Sequence, residues 1–252
     1  MKNKYVFVSV LLLVLLLTGA GLTQLYVKEE TKQQDSELTV VTSFYPMYIA
    51  AMNVIGDTPG VDLQNLSEPQ TGCLHDFQLT PEDMKLLSTA DVFIINGGGI
   101  ESFMKEVAEA YPNLKIIKAC ENISLLSGEE DDTHHHEGET EEEHAHGDVN
   151  AHAWMSVSAY ETQVQTIADG LSGADPERSS AYQNGAKAYL EKLDGLKKRQ
   201  EKLKQEISGQ SVILFHEAYA YVAEDYGLQV NYLLDLDEER QVSAGEVSDV
   251  LS

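Results

Sequence analysis

Short apolar segments of strand length alternate with segments of helical spacing along most of this 252-residue chain. Residues 91–96 form an apolar run that ends at three consecutive glycines, and residues 38–41 form a second pattern typical of a buried strand. Residues 46–55 carry apolar side chains at helical spacing, and Thr80-Pro81 has the cap and the first-turn proline of a helix start. Strands that alternate with helices predict a parallel α/β architecture.

One long helical pattern divides the chain into two parts. Residues 176–208 keep apolar side chains in register, which predicts a single helix roughly 45 Å long at ~1.5 Å per residue. We therefore expect an N-terminal α/β lobe over residues 38–175, this linking helix, and the start of a C-terminal α/β lobe over residues 209–252. A last helix opens with a capping box at residues 243–246 and stops soon afterwards, so we expect the second lobe to be truncated.

The N-terminus has the layout of a secretory signal. Two lysines precede an unbroken apolar run over residues 5–17, and small residues follow. The run is short for a membrane span, so residues 1–21 predict either a cleaved signal peptide or an uncleaved signal anchor. Both place the remaining chain outside the cytoplasm, in the periplasm or on the outer face of the cytoplasmic membrane, with polar residues 28–37 as a tether.

The charge balance excludes one class of partner. The chain has 17 basic and 42 acidic residues, for a formal net charge of -25. Such a charge repels phosphate backbones, so we expect no nucleic-acid partner, whereas cations are attracted. Part of the charge lies in residues 129–148, a segment of Glu, Asp and His without a large apolar residue, which predicts a loop that joins no core.

The eight histidines fall into two groups. Five lie in the acidic loop: His134, His135, His136, His144 and His146. The other three, His75, His152 and His216, stand apart, each near the end of a strand or the start of a helix. Imidazole is the commonest protein ligand of zinc, but a single isolated His is as readily a surface or hydrogen-bonded residue. The loop itself either collects metal weakly or is a solvated linker without a further role.

Three segments, in order, resemble signature segments of the cluster A-I metal receptors. They are residues 74–81 (Leu-His-Asp-Phe-Gln-Leu-Thr-Pro), 149–154 (Val-Asn-Ala-His-Ala-Trp) and 215–221 (Phe-His-Glu-Ala-Tyr-Ala-Tyr). The chain is most similar to the zinc-specific, ZnuA-type members. The resemblance includes Asn96-Gly97 with Glu101, and the His-rich insert just before the second segment.

The resemblance implies a fold, a cargo and a partner. It implies two α/β lobes with parallel sheets joined by one rigid helix, with metal held between them by His75 and His152 of the first lobe and His216 of the second. Manganese receptors of this family usually have Glu at the third position, so His216 favours Zn²⁺ over Mn²⁺ as the transported ligand. It further implies a monomer, a cognate ABC permease in the membrane, and no catalytic residues.

Two departures from the family pattern affect the predicted site. The second segment reads Asn150-Ala151-His152 where relatives usually have Asp-Pro-His, which keeps the ligand but changes the turn before it. The family's last acidic ligand would lie beyond Ser252, so the fourth ligand stays open between that acid, water and the thiolate of Cys73. Cys73 and Cys120 either pair or remain free thiols.

Two other classes of protein compete with a transport receptor. Residues 216–220 resemble the start of a zinc-protease helix, but Ala220 stands where that motif needs a second His, which leaves Glu217 as the one adjacent general base of a zinc hydrolase. A secreted or surface metal-buffering protein or adhesin is supported mainly by the His-rich loop. We expect a high-affinity extracytoplasmic zinc receptor that delivers Zn²⁺ to an ABC importer, and not an enzyme.

Overall fold

The computed structural model describes residues 7, 11–18, 37–67, 77–128, 149–234 and 245. The predictions for His75, Cys73 and the His-rich loop therefore lie outside the described residues. Residues 11–18 are helical. Within the described part of the chain, no helix has both the length and the apolar character needed to span a bilayer.

The first lobe is built on a four-stranded parallel sheet with the strand order β2-β1-β3-β4. The strands are β1 (Leu38–Thr42), β2 (Val61–Asn65), β3 (Val92–Ile95) and β4 (Lys115–Lys118). The helices that connect or cover them are α1 (Tyr45–Ile55), α2 (Pro81–Leu87), α3 (Met104–Ala110) and α4 (Val157–Ala174). The predicted parallel α/β architecture is confirmed.

Helices cover both faces of the sheet. Successive side chains of a strand point to opposite faces, so each strand contributes to both apolar clusters. Val40 and Ile94 pack into the apolar cluster that includes residues of α1 and α4, whereas Val41 and Phe93 pack into the cluster that includes residues of α2 and α3. These four strand residues are fully buried. Helices on both faces leave the ends of the strands as the places where functional side chains can lie.

A short antiparallel pair lies at the base of the His-rich loop. Strand β5 (Leu126–Ser127) pairs with β6 (Val149–Asn150), with Leu126 opposite Asn150. This pairing places Ser127 opposite Val149, the residues on either side of the loop sequence. The loop is therefore inserted between two residues that are already neighbours in the fold.

The linking helix, α5, runs over Ser179–Ile207 and has 29 residues. It begins at Ser179 rather than at Pro176, because residues Pro176–Arg178 form a separate 3-10 turn held by a salt bridge from Arg178 to Asp175. Its backbone approaches α1 so closely that a Cβ added to Gly185 would lie 2.1 Å from the carbonyl oxygen of Val54. A long helix packed this tightly against the first lobe is stiffly attached to it.

The second lobe, as far as the structure describes it, is one β-α-β unit. Strand β7 (Ser211–Leu214) pairs in parallel with β8 (Gln229–Leu233), and α6 (Tyr219–Tyr226) connects them. The side chain of Tyr221, on α6, packs in an apolar cluster with Cys120 and Ala153 of the first lobe. The two lobes therefore touch through α6.

Candidate metal centre

His152 lies where the first lobe meets the second. It follows β6 and precedes the 3-10 turn Ala153–Met155, which leads into α4. The residue is 2% exposed. Its ring centroid is 5.0 Å from that of Trp154, and the Trp154 ring lies edge-on to Phe44 at 4.9 Å. Packing against the core thus holds the His152 imidazole in one place.

Two oxygen atoms define which nitrogen of His152 carries hydrogen. Nδ1 lies 2.9 Å from Oδ1 of Asn150 and 3.2 Å from Oε1 of Glu217. Both oxygens are acceptors, so the neutral ring carries its hydrogen on Nδ1 and its lone pair on Nε2. In metal-binding histidines the N–H of the second ring nitrogen commonly donates to a carboxylate or carbonyl oxygen in this way, which orients the ring and makes it a stronger ligand.

His216 approaches His152 from the second lobe. It lies between the end of β7 and the start of α6, and its Nδ1 accepts a hydrogen bond from the backbone N–H of Ala218 at 3.0 Å. The rings of His152 and His216 are 5.0 Å apart at 89°. The tertiary structure therefore brings together two of the three predicted metal ligands.

Asn150 connects His152 directly to the second lobe. Its Oδ1 accepts from the backbone N–H of His152 at 3.0 Å, while its Nδ2 donates to the carbonyl oxygen of Glu217 at 2.8 Å. Its own carbonyl oxygen accepts a hydrogen bond of 2.6 Å from the hydroxyl of Tyr221. A carboxylate could not donate to this carbonyl oxygen, so an Asp at position 150 would lose the contact that Asn150 makes with Glu217.

A buried polar network at the end of β3 supports the segment before His152. The side chain of Asn96 donates to the carbonyl oxygen of Ala151 at 2.9 Å. The carboxylate of Glu101 accepts from the backbone N–H groups of Asn96 at 2.7 Å and Gly97 at 3.0 Å, and from the Ser43 hydroxyl at 2.9 Å. Glu101 thus holds the turn after β3. Asn96, in that turn, holds Ala151 in place through its side-chain hydrogen bond, and Ala151 directly precedes His152.

Burial changes the acidity of two groups in this network. Desolvation raises the pKa of Glu101 above its ordinary value of 4.5, against the hydrogen bonds from Asn96, Ser43 and Gly97, which lower it. Desolvation also raises the pKa of the Cys120 thiol to about 12. Cys120 is a buried free cysteine. At neutral pH it therefore remains a thiol, which is a poor metal ligand.

The remaining predicted ligands cannot be placed. His75 and the five loop histidines lie outside the described residues, so the assignment of all three isolated histidines to one site stays a prediction. Among the residues that the structure does describe, no group of three or more His, Cys, Asp or Glu side chains has the arrangement of a metal site. The pair of His152 and His216, with Glu217 beside them, is the part of the predicted site that is visible.

Sequence reasoning missed the roles of Asn150 and Glu217. The sequence marks Asn150 as a departure from the family pattern and Glu217 as the adjacent general base of a hydrolase, and neither observation predicts a contact between the lobes. The signal available for each was adjacency to a predicted ligand: Asn150 precedes His152 by two positions, and Glu217 directly follows His216. Asn150 contacts the second lobe and Glu217 contacts the first. Both contacts depend on how α6 packs against the first lobe, which the sequence does not show.

One family profile and several curated relatives match most of this chain. The profile of the family described as zinc-uptake complex component A, periplasmic (ZnuA) matches residues 40–252. The zinc-binding lipoprotein AdcA of Streptococcus pneumoniae is 29% identical over 222 residues, which are 87% of this chain and 43% of AdcA. The high-affinity zinc uptake system protein ZnuA of Bacillus subtilis is 27% identical over 223 residues, which are 88% of this chain and 68% of that protein.

A solved structure gives the same answer for the fold. The crystal structure of Zn(II)-bound AdcA from Streptococcus pneumoniae superimposes with a TM-score of 0.67 at 26% identity, over 84% of this chain and 42% of that one. The chain thus spans less than half the length of the AdcA relatives that it matches. The family description is that of an uptake component and not of an enzyme, as the sequence led us to expect. The resemblance found in the three histidine segments is confirmed, and the chain belongs to the ZnuA family of periplasmic zinc-uptake components.

Proposed function

We propose that this chain is an extracytoplasmic receptor that binds Zn²⁺ with high affinity and delivers it to an ABC importer. The observation that carries the proposal is the 5.0 Å approach of the His152 and His216 rings, one from each lobe. Two imidazoles at this separation can share one ion, because zinc–nitrogen bonds are about 2.0–2.1 Å long. The names of a zinc-binding lipoprotein from Streptococcus and of a zinc-uptake protein from Bacillus support the same cargo.

The proposed ligand set is His75, His152 and His216. Three neutral imidazoles suit zinc, whereas manganese prefers sites rich in oxygen. One tetrahedral position is left for water or for an acid of the second lobe. Because the ion would join residues of both lobes, its binding favours the closed arrangement, which a membrane permease can distinguish from the empty one.

Location and charge fit the same role. The apolar N-terminal run predicts export, and the net charge of -25 draws divalent cations toward the protein. The His-rich loop is proposed to collect metal weakly through its five imidazoles and its carboxylates. The strands that flank it, β5 and β6, pair with each other, so the loop can be removed without separating any described element of the first lobe.

The contacts of Glu217 favour a receptor over a zinc hydrolase. A hydrolase needs a general base directed at metal-bound water. The Glu217 carboxylate instead lies 3.2 Å from Nδ1 of His152, where it orients the imidazole. The metal-buffer alternative rests on the loop alone and makes a different prediction for stoichiometry.

Calorimetry of the purified full chain, freed of metal with a chelator, tests the proposal. We expect one tight zinc per chain, lost in His152→Ala and in His216→Ala, and retained within a few-fold when residues 129–146 are deleted. Several weak sites that disappear with the loop would instead identify a metal buffer. Zinc-dependent turnover of a peptide or ester would identify a hydrolase.

A further inference from the structure

One carboxylate in the second lobe contacts both the first lobe and the linking helix. Asp225, on α6, accepts a hydrogen bond of 3.0 Å at Oδ1 from the Ser156 hydroxyl. Its Oδ2 accepts from the backbone N–H of Val157 at 3.2 Å and from Nε2 of Gln200 at 2.7 Å. Ser156 and Val157 begin α4 of the first lobe, and Gln200 belongs to α5.

The chemistry of these contacts suits a carboxylate. The first N–H groups of a helix have no partner within the helix, and the helix dipole favours negative charge at that end. Ser156 caps α4 by accepting from the backbone N–H of Ala159, and Asp225 completes the cap from another lobe. All three groups that face Asp225 donate, while an ionised carboxylate only accepts. Asp225 is partly buried, and Gln200 is 7% exposed.

The position of Asp225 relates it to both visible metal-site histidines. On the first-lobe side, its partners Ser156 and Val157 follow His152 across one 3-10 turn, Ala153–Met155. On the second-lobe side, α6 begins directly after the segment that carries His216. A shift of α6 relative to α4 would therefore change the separation of the two imidazoles.

We propose that Asp225 is a positioning residue of the metal centre, which holds α6 against α4 so that His216 meets His152 before any metal binds. This inference rests on the proposed zinc-binding function. Asp225 bonds to Ser156 and Val157 at the start of α4 and to Gln200 on α5. It acts by fixing the relative position of two helices, one from each lobe.

The test compares zinc affinities of the metal-free full chain, folded at low temperature. Asp225→Ala removes all three hydrogen bonds and should weaken zinc binding about tenfold, a coupling of ordinary size between two sites. Asp225→Asn should restore affinity to within about threefold of the original, because an amide oxygen can accept from Val157 and Gln200 while its N–H₂ donates to the Ser156 hydroxyl.

Two controls separate positioning from general destabilisation. Glu224→Gln makes the same change of charge at an exposed neighbour on α6 and should leave affinity unchanged. Ile167→Ala removes a fully buried side chain of α4, and should lower the melting temperature without changing zinc affinity in the folded protein. Trp154 is the single tryptophan and lies 5.0 Å from the His152 ring, so its emission reports on the site in each variant.

The outcomes are distinct. The inference is supported if Asp225→Ala lowers zinc affinity, Asp225→Asn restores it, and Ile167→Ala leaves zinc affinity unchanged. The inference is wrong if folded Asp225→Ala binds zinc with the same affinity as the original protein. If Asp225→Ala does not fold, Gln200→Ala provides the decision, since loss of one partner should weaken binding about threefold and an unchanged affinity refutes the role. Failure of the unaltered chain to bind zinc would refute the proposed function instead.

Discussion

The carboxylate of Glu217, in the second lobe, lies 3.2 Å from Nδ1 of His152, in the first. The same residue accepts the Asn150 side-chain amide at its carbonyl oxygen, at 2.8 Å. Glu217 therefore contacts the first lobe with both its side chain and its main chain. The side-chain contact orients the His152 imidazole, and the main-chain contact helps to fix the distance between the lobes.

Glu217→Gln tests the side-chain contact. Replacing the carboxylate by an amide leaves a weaker acceptor for the His152 N–H, which lowers the basicity of the ring as a ligand. Outer-shell substitutions of this kind typically cost about 10–100-fold in metal affinity, and we expect the lower part of that range because Asn150 still accepts from the same nitrogen. Competition with a zinc chelator measures the change.

Glu224→Gln is the matched control for that substitution. Glu224 lies on the same helix and is exposed, so the change of charge is the same without the contact to His152. Equal affinities for Glu217→Gln and Glu224→Gln would show that the Glu217 side chain does not act on the metal site.

Zinc affinity should depend on pH in the direction that imidazole ligation requires. Only the neutral ring binds metal, and an unperturbed imidazole has a pKa of ~6.5. Protons therefore compete increasingly well as pH falls, and we expect affinity to decrease steadily from pH 8 to pH 5. The measurement is a chelator competition corrected for the chelator's own protonation. An affinity that stays constant over this range would argue against histidine ligands.

The stability of the first lobe should depend on pH through Glu101. Burial raises the pKa of Glu101 above 4.5, so the folded protein holds this proton to higher pH than the unfolded chain does. The stability that Glu101 contributes is complete below the unfolded pKa and is lost as pH rises through the folded pKa. We therefore expect the free energy of unfolding, relative to Glu101→Gln, to decrease as pH is raised from 4.5.

Urea unfolding of the metal-free protein at pH 5 and at pH 8 measures this difference. Glu101→Gln cannot titrate, so it removes the contribution of this one group and leaves the other acids in place. A gap between the two proteins that has the same size at both pH values would contradict the expected linkage.

Two glycines of the linking helix should respond differently to replacement by Ala, because Gly185 lies against α1 and Gly195 does not. Gly185→Ala places a Cβ 2.1 Å from the carbonyl oxygen of Val54, so the helices must separate, at a cost of about 2 kcal/mol or more. Gly195→Ala, on the same helix, meets no atom of the described residues within 4 Å beyond its own stretch of helix, and should stabilise by about 0.5–1 kcal/mol through helix propensity. Thermal unfolding followed by circular dichroism compares the two, and similar effects of both substitutions would contradict the described packing.

Local sequence patterns were sufficient to predict several of the regular elements of the first lobe, although not the helix α3 (Met104–Ala110). The apolar run at residues 91–96 predicted β3, which the structure places at Val92–Ile95 with all four residues buried. Thr80-Pro81 predicted the start of α2, where Thr80 forms a capping box with Asp83. These features depend on neighbours within a few positions, so the chemistry that specifies them is written in the local sequence.

Local patterns did not predict the short elements or the helix boundary near Pro176. The two-residue strands β5 and β6 are too short to show a periodic pattern, and they form only because the chain returns to pair with itself. The 3-10 turn before Ser179 depends on the salt bridge between Asp175 and Arg178 and on a hydrogen bond from Tyr182 to Asp175. Such contacts follow from side-chain geometry and not from hydrophobic spacing.

The sequence by itself determined the α/β class, the resemblance to metal receptors and the residue types that suit zinc. Only the tertiary structure decided that His152 and His216 lie 5.0 Å apart, and that Asn150, Glu217 and Asp225 join the lobes around them. Residue type decides what a side chain can bind, and it can be read from one position. Proximity between distant positions arises from the packing of whole helices and strands, which no local pattern contains.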